Sequence, residues 1–235
     1  MTFRIPRWAV AGLDGDREDL HWAVLQPMWH ELHTPYEPDP RLHQATPGQR
    51  ALYALYWLES ETSNGGLHQY FWNPTGMLAD EAVQGAHRLG LSGYADLLAE
   101  AITTVFDSPT VPQDQRLRQR ALDGLSDQRR RRLDALDQHL SVLLVEQPLH
   151  AALDQYVRDH PSEFFLDEHE EDPAQGAQAR LNLAYRLVTR NQPGDLDRAR
   201  PLLEHARAKA QALGLAGIEG RCRSLLDQLD SLRLS

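Results

Sequence analysis

The residues best suited to chemistry lie between Glu61 and Gly76, in the stretch ETSNGGLHQYFWNPTG. Glu61 and His68 could serve as an acid and a base, and Asn64, His68, Gln69 and Asn73 could line a small polar pocket for a ligand or a peptide. A carboxylate and a histidine seven positions apart arise easily by chance, however, and no nucleophile accompanies them. The competing assignment is structural. Asn64-Gly65-Gly66 lies between helical patterns and reads as a sharp interhelical turn, glycine being needed where the backbone takes positive φ or another backbone comes close. A short helix from Leu67 to Trp72 then points Leu67, Tyr70 and Phe71 at the core and puts Gln69 and Asn73, four apart, on one face. Asn73-Pro74 breaks that helix, and Gly76 relaxes the chain into the next. Amides held beside a tight turn are suited to satisfying backbone groups left over at adjoining helix ends. On this reading Glu61, Asn64, Gly65, Gly66, His68, Gln69, Asn73 and Gly76 fasten three helices together.

Other candidates for chemistry are weaker. His30-Glu31-Leu32-His33 resembles a zincin fragment, but its histidines are three apart rather than the four that a zinc helix needs. The remaining histidines, among them His21, His43, His87, His139 and His150, are dispersed. There is no phosphate-cradling glycine loop, no nucleophile elbow and no cysteine near a histidine. The acidic run 167–172 lacks the spaced ligands and turn glycine of a calcium loop. No catalytic residue, cofactor site or metal site is read, and the expectation is a non-enzymatic protein. Trp8, Trp22, Trp29, Trp57 and Trp72 are expected mainly as core rings.

The elements that must position the motif are helices. Thr46-Pro47-Gly48-Gln49 has capping-box spacing with proline at the first helical position, and Leu52, Leu55, Tyr56 and Leu58 follow at helical spacing, so a helix is predicted from about Pro47 to Glu61. Ser92 is suited to cap a second helix whose stripe is Leu97, Leu98, Ala101, Ile102, Val105 and Phe106. Leu133 to Leu144 marks a long helix whose first turns carry Arg129 to Arg132, and Leu149 to Val157 marks another, stopped at His160-Pro161. Alternating strand patterns are absent. The predicted class is all-α: a multi-helix domain over 1–166, an acidic linker over 167–172, and a C-terminal unit over 173–235 that forms a helical hairpin plus a closing helix, resembling a tetratricopeptide-type unit.

Charge divides along the chain. Residues 1–110 carry 14 acidic and 6 basic side chains, residues 111–172 carry 14 and 8, and residues 173–235 carry 6 and 10, for a net charge of −10. An acidic N-terminal part argues against direct nucleic-acid binding, because phosphate contacts need a basic face. A basic protein partner suits it. With a single cysteine, Cys222, no run of 18 apolar residues and no signal-peptide pattern, no internal disulfide or membrane segment is read, and the expected location is cytoplasmic.

The order Glu61, Asn64-Gly65-Gly66, Gln69-Tyr70-Phe71, Asn73 and Gly76 resembles the signature of the DNA mimic protein 19 family, a bacterial domain family otherwise described as of unknown function. The likeness extends more weakly over residues 20–166, through the HPSEFF stretch, and stops before the C-terminal tail. It implies an all-helical domain, in at least one member a homodimer, whose acidic surface imitates the phosphate charge of duplex DNA and occupies the DNA-binding face of a transcriptional regulator. Carboxylates such as Asp14, Asp16, Glu18 and Asp19 lined up at duplex-like spacing would be the mark of such mimicry. No catalytic residues are associated with the motif. Three readings follow: an acidic binder of a basic regulator, an immunity or antitoxin-like binder of a basic toxin, and a small-molecule sensor or enzyme using the Asn64, His68, Gln69 and Asn73 pocket.

Overall fold

Pro47 to Trp72 forms one 26-residue element, α2, and the rest of its unit is arranged around it. The computed structural model describes residues 3–10, 20–32, 40–166, 172–190 and 194–233. Thr46 starts α2 with the predicted capping box: its hydroxyl accepts the Gln49 N–H at 3.1 Å, and the Gln49 side chain accepts the Thr46 N–H at 3.0 Å. Around it lie α3 (Ala79–Arg88), α4 (Ser92–Phe106), α5 (Gln115–Asp123), α6 (Asp127–Glu146), α7 (Leu149–Asp159) and the short α8 (Pro161–Phe164). Of these, α2 packs against α3, α5, α6, α7 and α8, while α4 bridges α3 and α6. Gly85 lets α3 come close, since a Cβ there would stand 3.0 Å from the Cα of Ala51. The fold is all-α, and most of the predicted apolar stripes are buried, including Leu52, Leu55 and Leu58 on α2 and Leu97, Leu98, Ala101, Ile102 and Val105 on α4, while Tyr56, Phe106, Leu143 and Leu144 are half-buried.

Two compact units emerge, residues 1–3 with 27–164, and residues 4–26 with 165–235. The division falls at Pro27 within α1 (Leu20–Glu31). It differs from the expected 1–166 and 173–235 at both ends of the first unit: residues 4–26 and Phe165–Leu166 group with the C-terminal helices. The reason is a two-residue parallel pairing of β1 (Ile5–Pro6) with β2 (Phe165–Leu166), with Trp8 packed against the core formed by α9 (Pro173–Arg190), α10 (Asp195–Leu213) and α11 (Ala216–Arg233). Within that unit Arg186 donates to Gln26 Oε1 at 2.9 Å and to the Ala9 carbonyl, and burial pulls its guanidinium down to about 10. α10 packs against both α9 and α11.

One capping expectation is corrected. Ser92 is the first residue inside α4, and the N-cap is Leu91, which gives no side-chain bond. Of the acidic linker only Asp172 is described, and it accepts the Ala174 N–H at 2.9 Å at the start of α9; residues 167–171 lie outside the described residues. His33 of the zincin-like fragment lies outside them as well. Among the described residues, no helix is long and apolar enough to cross a membrane.

Candidate functional site

The motif sits where α2 breaks. Helical geometry is interrupted at Gly65 (φ −161°, ψ 25°) and Gly66 (φ 70°, ψ −170°) and resumes at Leu67. Glu61, one turn before the break, is the hub. Its Oε2 accepts the side-chain amides of Gln69 at 2.9 Å and Asn73 at 2.7 Å, and its Oε1 accepts the Thr75 hydroxyl at 2.9 Å. A single half-buried carboxylate thus joins the part of α2 before the break, the part after it and the 3-10 turn Pro74–Leu78. Sequence reasoning gave Gln69 and Asn73 the leftover backbone groups as partners. They turn to Glu61 instead, because a hydrogen bond to an ionised acceptor is roughly twice as strong as a neutral one. The turn beyond is tight enough to need Gly76, where a Cβ would lie 2.6 Å from the Tyr70 carbonyl oxygen.

Three further residues complete the clamp, and none was singled out from the sequence. Asp137 on α6 accepts the Leu67 N–H on Oδ1 at 2.6 Å and so caps the resumed helix. Burial raises its carboxyl above the ordinary value, against the pull of the Leu67 bond. Arg118 on α5 is fully buried, and its guanidinium donates to the carbonyls of Phe71 (3.1 Å), Asn73 (2.9 Å), Pro74 (3.0 Å), Pro112 (2.9 Å) and Gln113 (2.9 Å). It therefore collects the orphan carbonyls where α2 ends. Glu163 on α8 does the converse at the start of α2: its Oε2 accepts the Gly48 N–H at 2.5 Å and its Oε1 the Tyr156 hydroxyl at 2.8 Å. The available signal was faint. Arg118 lies four before the buried Leu122, and Asp137 follows Leu136 beside the apolar stripe of α6, so both flank core positions.

The predicted pocket of Asn64, His68, Gln69 and Asn73 is not assembled as such. Gln69 and Asn73 meet at Glu61, whereas Asn64 is exposed and donates its amide to the Ser60 carbonyl at 2.8 Å. His68 is exposed and stacks on Trp72, with ring centroids 5.8 Å apart and planes 15° from parallel. The break at Gly65-Gly66 resets the helical phase, so residues before and after it do not share the face that uninterrupted spacing would give them. What opens at the break is a different hollow of about 280 Å³, bordered by the two glycines, Thr62, Ser63, Asn64, Asp137, Leu140, Ser141 and Leu144. Among the described residues, no group of three or more His, Cys, Asp or Glu side chains gathers as metal ligands.

A family model described as DMP19-like protein matches residues 43–160, half of the 235-residue chain. The chain belongs to this DMP19-like family. No curated protein and no solved structure matches it. The DMP19-like segment spans α2 to α7 and contains the clamp residues from Glu61 to Gly76 with Asp137 and Arg118, while the third added residue, Glu163, and α9 to α11 lie beyond it. It carries 15 acidic and 10 basic side chains, one of the ten being the buried Arg118.

Proposed function

We propose that this DMP19-like protein is a non-enzymatic acidic binding module, acting in the cytoplasm, whose helical domain takes a basic protein partner. A DNA-binding regulator is the first candidate, because carboxylates presented to solvent attract the arginines and lysines that otherwise meet phosphate.

The observation that carries this reading is the way charges are disposed on α4 and α6. The basic run at the start of α6 would cancel an acidic face, but half of it is held in ion pairs, which leaves Arg130 and Arg131 against four exposed carboxylates. Arg129 is paired with Asp107, Arg132 with Glu100, and Arg130 donates to the carbonyls of Leu125 at 3.0 Å and Asp123 at 2.9 Å. Asp96, Asp127, Asp134 and Glu146 remain exposed on the same two helices, with no ion-pair partner among the described residues. The acidic excess is therefore carried where a partner can reach it. Asp14, Asp16, Glu18 and Asp19 lie outside the described residues.

The test is capture of native-host proteins on the immobilised full chain at low salt, followed by elution with rising salt. Retention of a DNA-binding protein that loses its DNA when this chain is bound supports the regulator reading. A retained basic nuclease encoded beside this gene would favour the immunity reading, which uses the same surface. No salt-dependent retention of any basic protein would count against both.

A further inference from the structure

The hollow at the break in α2 is lined mainly by hydrogen-bond acceptors gathered around one carboxylate. Asn64 gives its amide N–H to the Ser60 carbonyl at 2.8 Å, Thr62 gives its hydroxyl hydrogen to the Leu58 carbonyl at 2.7 Å, and Ser141 gives its own to the Asp137 carbonyl at 2.9 Å. What these three side chains have left is the Asn64 Oδ1 with its second amide N–H and the hydroxyl lone pairs of Thr62 and Ser141, and Ser63 adds a further hydroxyl at the rim. Asp137 adds a carboxylate: Oδ1 holds the Leu67 N–H, and Oδ2 accepts no hydrogen bond from the described residues. The Leu67 N–H is thereby consumed. Leu140 and Leu144 supply an apolar wall, and at about 280 Å³ the hollow is several times the ~30 Å³ that one water occupies in the liquid.

We infer that this hollow, between the Gly65-Gly66 break and α6, is a binding site for an arginine side chain presented by a protein partner. The chemistry selects the ligand by charge: Asp137 is the one charged side chain bordering the hollow, and its unbonded Oδ2 together with the neutral acceptors around it disfavours an anion and favours a cationic donor. Guanidinium is such a group, with five N–H donors in a planar fork and no acceptor. One edge of it faces Asp137 Oδ2 while its other N–H groups reach the neutral acceptors, and the methylene stem lies against Leu140 and Leu144. The inference rests on the proposed basic partner only for the source of the arginine.

The test is titration of the full-length ¹⁵N-labelled chain with N-acetyl-arginine amide, followed by backbone amide shifts, with the citrulline analogue as the uncharged control of the same shape. The expected result is saturable shifts at Gly65, Gly66, Leu67 and Ser141, with binding roughly tenfold weaker or worse for citrulline, since one ion-assisted contact is worth about that factor. Asp137→Asn keeps an oxygen for Leu67 but removes the charge, and is expected to weaken arginine binding by a similar factor. Ser63→Trp, on the exposed rim, fills the hollow while leaving Asp137 unsubstituted, and is expected to abolish the shifts while the rest of the spectrum stays native. Absence of saturable shifts, an equal response to citrulline, or an undiminished response in folded Asp137→Asn or Ser63→Trp would overturn the assignment. Arginine-amide binding here without any retained host protein would keep the site and remove the partner reading; retained partners without arginine-amide binding would do the reverse.

Discussion

The Leu67 N–H donates to Asp137 Oδ1 at 2.6 Å, so the helix that resumes after the break in α2 is capped by a side chain 70 residues further along. Burial, the larger influence, holds the Asp137 carboxyl above its ordinary 3.8. A carboxyl raised in the folded state binds its proton more tightly there than in the unfolded chain. Its contribution to stability is thus fully present below 3.8 and is lost as pH rises through the raised value. Asp137→Asn retains a capping oxygen but cannot titrate. Urea unfolding of both proteins across this range should show the wild type losing ground to the variant from acid to neutral pH. At neutral pH Asp137→Ala, which also loses the cap, should be less stable than Asp137→Asn by about 1 kcal/mol.

Glu61 accepts three side-chain hydrogen bonds at 2.7 to 2.9 Å. Glu61→Ala removes the common acceptor and is expected to cost roughly 2–3 kcal/mol, with part of the loss recovered by water because the site is half-exposed. Glu61→Gln should fall between, since its amide nitrogen would face donors. Equilibrium denaturation of the three proteins orders them.

Gly66 and Gly90 have nearly the same positive φ, 70° and 72°, but different surroundings. A Cβ on Gly66 would lie 2.5 Å from Asp137 Oδ2, whereas one on Gly90 would meet nothing within 4 Å. Gly90→Ala is therefore expected to cost only the left-handed strain, about 1 kcal/mol. Gly66→Ala should cost distinctly more, because its ψ of −170° lies in a region essentially confined to glycine and its Cβ also displaces the cap. Equal losses in thermal unfolding would mean that the Asp137 contact contributes nothing.

Arg118 donates to five backbone carbonyls from a fully buried position. Lysine has three donors on a single point and cannot span them. Arg118→Lys and Arg118→Met are both expected to destabilise, the second by roughly 3–5 kcal/mol, as for other buried polar partners removed one-sidedly. Hydrogen exchange should then show early opening of the chain around Trp72 to Pro74.

Much of this was legible locally. The Thr46 to Gln49 box fixed where α2 begins, the paired glycines where it breaks, and Asn73-Pro74 where it ends, because caps and breakers act within three or four residues. What remained hidden acts across the chain. Arg118 reaches Phe71 over 47 positions, Asp137 reaches Leu67 over 70, and Glu163 reaches Gly48 over 115. Local periodicity does not encode such pairs, and a two-residue bridge such as β1 to β2 has no period to read. Asn64 and His68 do not join Gln69 and Asn73 because the geometry of the Gly65-Gly66 break, which the sequence marks without specifying its angles, leaves Asn64 on the Ser60 carbonyl and His68 on the Trp72 ring.

The central claim is that function resides on the exposed acid of the helical domain while the Glu61 to Gly76 segment holds that domain together. The most direct measurement compares host-protein capture by the wild type with capture by Asp96→Asn/Asp127→Asn/Asp134→Asn, three substitutions at exposed positions that leave the clamp intact. The account predicts that the triple variant melts like the wild type yet loses the basic proteins retained at low salt, with a shallower salt dependence for whatever remains. Retention of the same proteins by both, with the same dependence on salt, would contradict it.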